Sequence, residues 1–521
     1  MEVYIRTNFS NTIGLGHIIR TTRLALEMKK KGIKCTFVLD KFYTKNLINF
    51  KKIFLYKNSK NFISEINDAK LFCKLTKKNK QKYVLIDDYR LGKKWQRYVS
   101  KYYKKIIIFD DLEDKEHFAD VIINYNPKNI SSLKYDFSRN KKDKCNFLIN
   151  PKYNIISKQN ITKNYNFLKS KFYITFYIGG GGNQKTFYKL LINLAKKINN
   201  NYNIKLLVIV GLLSKNKNLI YKLPKKYECI ETISGYDNLY YIIKKTKIFV
   251  GTSGTAIFET AFLKTPSILF NISKNQETDI FSLEKIGHYF FLKSKDLLLT
   301  DKFIRLIFLI FKYYSRFQSF IKKPEIKIDN NGTKRLVNSI FFTQNNKKKN
   351  KNIKKILKHK FKHTYKIRPV KDKDINHYLY CRNLEINKKN SSNYISIPIL
   401  DHYIWWFKTN RKSYVLLRNG IKILYFYEEK LTFISKNNYL LSGWFACVKN
   451  CTIKEVLQAL NWQRNKNKKV KWISFIKKTN HLSIKLSKYI GWRNMDKKNK
   501  IINILARNFK INCNKFIFQE R

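Results

Sequence analysis

The sequence predicts an α/β fold of parallel sheets followed by a smaller α+β domain, and three observations predict it. From the first residue to about 160, short β-branched runs alternate with longer amphipathic ones and hairpin signals are few, the pattern of a parallel sheet covered on both faces. A second region of the same kind begins near 170. A stretch dense in lysine and asparagine then separates both from a third region with strands of its own. The domains expected are 1–165, 166–342 and 364–521, with 343–363 a basic linker.

In the first domain, strands are expected at Glu2 to Arg6, Cys35 to Leu39, Tyr83 to Ile86, Ile106 to Phe109 and Val121 to Asn124, and helices at His17 to Lys31, Asn61 to Lys74 and Trp95 to Tyr103. Ligands of such sheets bind beyond the carboxyl ends of the strands. Three groups fall there: Ile13-Gly14-Leu15-Gly16-His17, Asp87-Asp88-Tyr89 and Asp110-Asp111. Gly14 and Gly16 let backbone approach an anion at the start of the first helix, and His17 stands at that mouth with a ring that can take a proton from water near pH 7. Taken alone, two glycines and a histidine describe a capped turn and a surface side chain equally well. Asp110 and Asp111 read as caps for a following helix, whereas Asp87 and Tyr89 read as substrate contacts.

The second domain opens with a strand at Phe172 to Ile178, then Gly179-Gly180-Gly181-Gly182-Asn183 and a helix from Thr186 to Asn199. Four consecutive glycines are costly to order in a plain connection, so either a ligand approaches the backbone closely or the segment is an interdomain hinge. Strands follow at Leu206 to Val210 and Ile248 to Val250, the latter leading into Gly251-Thr252-Ser253-Gly254-Thr255 and a helix carrying Glu259 one turn in. A carboxylate there repels phosphate but accepts two hydrogen bonds from a ribose diol, or else it complements the helix dipole. Asn275 and Gln276 offer amides suited to a sugar.

Composition narrows the function classes. The 521 residues are 44% hydrophobic and 15% aromatic, enough to build cores and exclude wholesale disorder. Lysine and arginine number 107 against 35 acids, a net +72. That excess is spread evenly beside abundant Asn, Ile, Phe and Tyr, residues specified by A/T-rich codons, so no nucleic-acid partner is expected, although the field still attracts phosphates. The eight cysteines (positions 35, 73, 145, 229, 381, 447, 451 and 513) form no Cys-x-x-Cys and have no His partner at zinc spacing, so no metal site is expected and they are expected as reduced, cytosolic thiols. His359 and His363 lie in the lysine-rich stretch without a third ligand and read as solvated. The chain opens on a strand without a signal-peptide core, and its longest greasy run, Leu306 to Phe311, is too short for a bilayer. A cytoplasmic protein without membrane insertion is expected.

Taken in order, Arg6 to Arg20, Leu85-Ile86-Asp87-Asp88-Tyr89, Asp110-Asp111-Leu112, Ala119-Asp120, the tetraglycine, Gly254-Thr255 with Glu259, Asn275-Gln276, and Asp329-Asn330-Asn331-Gly332-Thr333-Lys334-Arg335 resemble one family over residues 1 to 342. It is that of the hydrolases of pseudaminic acid biosynthesis, similar in fold to the GT-B glycosyltransferases, which release UDP from UDP-2,4-diacetamido-2,4,6-trideoxy-β-L-altropyranose. The resemblance implies a GT-B-like pair of Rossmann-type domains, and His17 as the base that activates water for inverting attack on the sugar C1 without metal or other cofactor. It implies a UDP-sugar substrate held by Gly14, Gly16, Arg20, Asp87 and Tyr89 on one side. On the other stand Gly180, Gly181, Gly182, Asn183, Ser253, Gly254, Thr255, Asn275 and Gln276, with Glu259 on the ribose. A glycosyltransferase using the same donor is the alternative. Two departures bear on the sugar: Asp88 stands where the family has His, and a further Gly near 182 where it has Asp.

The third domain, from Tyr365-Lys366-Ile367-Arg368-Pro369-Val370, has Cys381-Arg382-Asn383, Trp405-Trp406-Phe407, strands near Ser413 to Leu417, Lys422 to Tyr427, Leu440 to Val448 and Lys471 to Ile476, and a helix at Thr452 to Asn465. Followed by Asn480-His481-Leu482-Ser483 and Ile490-Gly491-Trp492, this order resembles the GNAT acetyltransferases, which implies acetyl-CoA as a cofactor and an acetyl transfer beside the hydrolysis. Yet the stretch expected to cradle its pyrophosphate, Cys447-Val448-Lys449-Asn450-Cys451-Thr452, has no glycine, and Ser487 replaces the usual acid tyrosine, with Tyr489 nearby. A binding or structural domain is therefore expected rather than an active transferase.

Overall fold

Runs of Val, Ile, Leu and Phe enclosed on both faces build two parallel sheets in the first of two compact units, Met1–Lys348 and Lys349–Arg521. The computed structural model describes residues 1–9, 14–41, 49–56, 62–127, 145–156, 173–198, 204–235, 239–272, 276, 278–342, 364–391, 394–434, 439–467, 470–496 and 498–521. The expected boundary at 165, the linker 343–363, His359, His363 and Asn275 lie outside these described residues.

The first sheet contains β1 (Glu2–Thr7), β2 (Lys34–Leu39), β3 (Lys51–Phe54), β4 (Tyr83–Asp87), β5 (Lys105–Phe109), β6 (Val121–Asn124) and β7 (Asn146–Ile149) in the order β3-β2-β1-β4-β5-β6-β7. The second contains β8 (Tyr173–Tyr177), β9 (Lys205–Val210), β10 (Ile230–Ser234), β11 (Thr246–Thr252), β12 (Ser267–Phe270) and β13 (Phe290–Leu292) in the order β10-β9-β8-β11-β12-β13. Neighbouring strands are parallel throughout, from β1 with β2 and β4 to β8 with β9 and β11. Each sheet reverses its strand order once, between β1 and β4 and between β8 and β11, and a crevice opens at that point. The loops after β1, β4, β8 and β11 are those carrying Gly14 to His17, Asp87 to Tyr89, the tetraglycine and Ser253 to Thr255. The fold is the pair of Rossmann-type domains expected.

Edges differ more than centres. The strands β3, β7, β10 and β13 were not expected, because short edge segments such as Lys-Lys-Ile-Phe carry little periodicity. The second helix starts at Glu65 rather than 61, where Ser64 Oγ accepts the Asn67 amide at 3.3 Å. The greasy run around 306 lies in the helix Thr300–Lys312, whose Phe303, Ile304, Leu306, Ile307 and Ile310 are all in the core. Among the described residues no helix is long and apolar enough to cross a membrane.

One apolar cluster runs through both halves of the first unit, from Ile5, Leu15 and Ile18 to Tyr177, Phe249 and Phe258. The helix Gly332–Phe341 closes it by returning to the first sheet, where Lys105 Nζ donates to Ile340 O at 3.2 Å and the Phe341 ring meets Tyr83 edge-on. Arg335 anchors its first turn, paired with Asp329 at 2.7 Å and donating to Lys152 O at 2.9 Å. Gly332 is required there because a Cβ would stand 2.1 Å from the Asn154 carbonyl oxygen. Gly332→Ala is expected to destabilise by about 1–3 kcal/mol, as overpacking against backbone does. Scanning calorimetry checks it, and an unchanged melting midpoint would show that the two segments can part freely.

The second unit forms one mixed sheet of β14 (Tyr365–Pro369), β15 (Lys412–Arg418), β16 (Ile421–Lys430), β17 (Tyr439–Ala446), β18 (Lys471–Lys477), β19 (Arg493–Asn494) and β20 (Phe516–Glu520), ordered β14-β15-β16-β17-β18-β20-β19. Only β17 and β18 are parallel, and they share just three register positions, Tyr439 with Lys471 to Leu441 with Ile473, before parting. This is the GNAT-like α+β arrangement expected, with the helix Ile453–Lys466 crossing between the parallel pair.

Candidate active site

The loops at the two crevices of the first unit face one another across a cleft of about 510 Å³. Its walls include Gly14, Gly16, His17, Arg20 and Tyr89 from the first half and Gly180, Gly181, Gly182, Ser253, Gly254, Thr255 and Gln276 from the second. Twelve residues chosen from sequence are thus brought together.

His17 lies in the first turn of the helix Gly16–Lys30 and is 5% exposed. Its Nδ1 is 2.5 Å from Asp87 Oδ1, and the Tyr89 ring meets it edge-on at 4.5 Å. Burial alone would raise the Asp87 carboxyl, but the charges and hydrogen bonds of Arg20 and His17 outweigh it and hold Asp87 down at about 2. The ionised Asp87 beside Nδ1 favours the tautomer that carries its proton there, against the Arg20 Nη2 that also stands 3.3 Å from the same nitrogen. Asp87 itself is fully buried and does not line the cleft, unlike the substrate contact expected of it; it meets His17 and Arg20 instead.

Arg20 stacks on Phe109 at 4.5 Å and divides its guanidinium between Asp87, at 2.6 Å from Nε, and Asp111, at 2.7 Å. Asp111 also accepts the Tyr89 hydroxyl at 2.7 Å. The cap expected of Asp111 is therefore corrected: no helix follows it, the next regular element being β6, and the side chain turns into the cleft wall instead. Asp110 does cap its turn, accepting the Glu113 amide at 2.9 Å, and faces His117 at 3.3 Å. Asp88 points away from the cleft into a buried network in which Arg90 reaches both Asp88 and Asp40, and Arg6 reaches Asp40 and Asp68.

The tetraglycine is explained in part by the protein itself. A Cβ on Gly180 would lie 2.6 Å from that of Leu15, so this loop presses on the loop of the first half while its backbone lines the cleft. Asn183 stands outside the lining, exposed, accepting the Lys185 amide at 3.0 Å and the Asn216 side chain at 2.8 Å at the start of the helix Lys185–Ile198. Ser253 Oγ donates to the Gln276 carbonyl at 2.7 Å and ties the two loops together.

Glu259 is also placed differently from its expected ribose contact. It is 1% exposed, lies outside the cleft lining, and pairs across the two halves with Arg23 Nη1 at 2.7 Å, leaving Oε2 buried without a hydrogen-bond partner. Arg23 also donates to Ile155 O at 3.0 Å. Tyr125 and Asn126 of the lining were missed, although they directly follow β6 and the rule of carboxyl strand ends could have found them. Among the described lining residues there is no lysine, and Arg20 is already matched by two carboxylates. An anion in the cleft would therefore rely on backbone N–H groups at the tetraglycine and at the start of the helix Ala256–Leu263.

In the second unit the residues present do not fit the pyrophosphate of acetyl-CoA. The start of the helix Ile453–Lys466 is closed by its own capping box: Thr452 Oγ1 takes the Glu455 amide at 3.4 Å and Glu455 Oε2 takes the Thr452 amide at 2.8 Å. Glu455, 1% exposed and paired with Arg418 at 3.0 Å, sets a negative charge where a phosphate would sit. Beyond the point where β17 and β18 part, the Ala446 backbone is taken by the Asn387 side chain, at 2.7 Å to its carbonyl and 3.1 Å to its amide. Ser487 Oγ donates to Ile484 O, and Tyr489 is 79% exposed.

No protein family model matches the chain. An uncharacterized protein of Methanocaldococcus jannaschii is 25% identical over 280 residues, which are 52% of this chain and 55% of that protein, so the chain spans about half the length of the curated relative it matches. Among solved structures, the UDP-GlcNAc 2-epimerase of Neisseria meningitidis bound to UDP-GlcNAc is 14% identical, over 65% of this chain and 99% of that one, with a TM-score of 0.43. A candidate phosphinothricin N-acetyltransferase is 16% identical over 30% of this chain and 98% of that one, with a TM-score of 0.24.

Proposed function

We propose that the first unit hydrolyses the glycosyl C1–O bond of a UDP-sugar, with UDP-2,4-diacetamido-2,4,6-trideoxy-β-L-altropyranose as the substrate and UDP and the free sugar as products. The observation that carries this reading is His17 held through Nδ1 by a buried, ionised Asp87, with its other nitrogen left for a cleft walled opposite by a glycine loop and a helix start. A water on Nε2 gives up its proton to the ring as its oxygen bonds to C1. The C1–O bond breaks, and its electron pair leaves on the diphosphate oxygen. Backbone N–H groups from Gly180 to Gly182 and from Gly254 to Ala256 stabilise that charge, strongest where water is excluded. The ordered sequence blocks shared with the pseudaminic acid hydrolases support the choice of sugar.

The test is incubation of the full chain with the altropyranose nucleotide while UDP and free sugar are followed. Stoichiometric release of both without any acceptor is expected. UDP release only when an acceptor sugar is present would replace this reading by that of a glycosyltransferase.

For the second unit we infer no acetyl-CoA site, on the closed helix start and the buried Glu455. Isothermal titration with acetyl-CoA is expected to give no saturable heat. Binding at micromolar concentration would overturn this.

A further inference from the structure

We propose that the second unit holds one zinc ion through Nδ1 of His377 and the thiolates of Cys381 and Cys447. None of these residues takes part in the proposed hydrolysis. His377 and Cys381 are four residues apart on the helix Ile375–Arg382 and so project from one face. Cys447 reaches them from the turn that directly follows β17.

The three ligand atoms all lie within 4.8 Å of one another, and Cys381 Sγ is 3.5 Å from His377 Nδ1. A tetrahedral zinc with Zn–S of about 2.3 Å and Zn–N of about 2.0–2.1 Å holds such a pair about 3.5 Å apart. The pair therefore already has the spacing of ligands around one cation.

The donor set also selects the metal. Two thiolates neutralise a divalent ion, which matters because Cys381 is fully buried and Cys447 is 8% exposed, and an uncompensated charge there would be costly. Imidazole with thiolate suits zinc, whereas magnesium and calcium prefer oxygen. The Tyr425 hydroxyl, 3.0 Å from His377 Nδ1, borders the fourth position, which it or a water would fill. His377 is only half-buried and leaves a path for entry. Binding releases the two thiol protons to solvent, the imidazole stays neutral, and no oxidation state changes.

The test uses the reduced, tag-free full chain titrated with zinc chloride against a chromophoric chelator, and with cobalt(II) as a spectroscopic substitute. One zinc per chain is expected, together with the thiolate-to-cobalt charge-transfer band and the intense visible bands of a tetrahedral centre. Cys381→Ser and Cys447→Ser should each weaken zinc binding by more than about tenfold and remove the cobalt bands, whereas Cys451→Ser should change neither. Far-UV circular dichroism establishes that each variant is folded. The proposal fails if the reduced wild-type chain takes up no zinc, if folded Cys381→Ser and Cys447→Ser bind it as tightly as wild type, or if the cobalt spectrum is octahedral.

Discussion

Replacing His17 by asparagine is expected to slow UDP release by about 10²- to 10⁴-fold, the usual share of a positioned general base. Asparagine preserves a polar group near the cleft and can still meet Asp87, but it cannot take a proton from water. KM should stay within a few-fold, because the proposed nucleotide contacts are assigned to the opposite wall, at the tetraglycine and around Ser253 to Thr255. Asp87→Asn tests the positioning half of the same device. It keeps the shape of the buried side chain but removes the charge that fixes the imidazole tautomer, so kcat should fall with little change in KM. It should also destabilise the fold, since Arg20 would keep only Asp111 as an ionised partner. Single-turnover measurement of UDP separates binding from chemistry. A His17→Asn variant with wild-type kcat would remove the imidazole from the mechanism altogether.

Replacing Arg23 by alanine is expected to destabilise the first unit by about 3–5 kcal/mol, because it strands a buried carboxylate. Glu259 is 1% exposed, its Oε2 is already without a hydrogen-bond partner, and Arg23 pairs with its Oε1 at 2.7 Å. The pair also joins the first helix of one half to the cleft helix of the other, so its loss should loosen the cleft as well as the core. Urea unfolding of the variant should show an earlier first transition. The double variant Arg23→Leu with Glu259→Leu should recover most of the loss, since an apolar pair of similar size leaves no charge behind. The same variants decide the role of Glu259: as a strut between the halves, Glu259→Gln weakens stability and leaves KM near wild type. As a ribose ligand, which would require it to swing away from Arg23, Glu259→Gln raises KM by at least about tenfold, about 1.4 kcal/mol at the diol. No recovery in the double variant would mean that the halves are held together elsewhere.

The central strands of all three sheets were legible in the sequence because each is a dense apolar run bounded by a turn. β4 reads Tyr-Val-Leu-Ile-Asp and β9 reads Lys-Leu-Leu-Val-Ile-Val, and their ends were placed within a residue or two. Edge strands escaped because a segment such as Lys51–Phe54 is made a strand by its neighbour β2 rather than by its own pattern. The glycine loops and His17 were legible for a similar reason: a loop at the carboxyl end of a strand is close to the ligand in any parallel α/β sheet.

The division of labour among the charged residues was not. Asp87, Asp88, Asp110 and Asp111 are indistinguishable as local sequence, yet one orders the imidazole, one is locked under Arg90, one caps a turn and one braces Arg20. Their roles depend on which distant cation each meets, and such pairings arise only when separate strands and helices are packed together. The same holds for Glu259 with Arg23, and for Cys447 with His377 and Cys381. Periodicity and turn chemistry act over a few neighbouring residues, so by itself the sequence determined the sheets and the loops that border the cleft. Charge pairing and ligand clusters depend on distances between segments remote along the chain, and those only the tertiary structure decided.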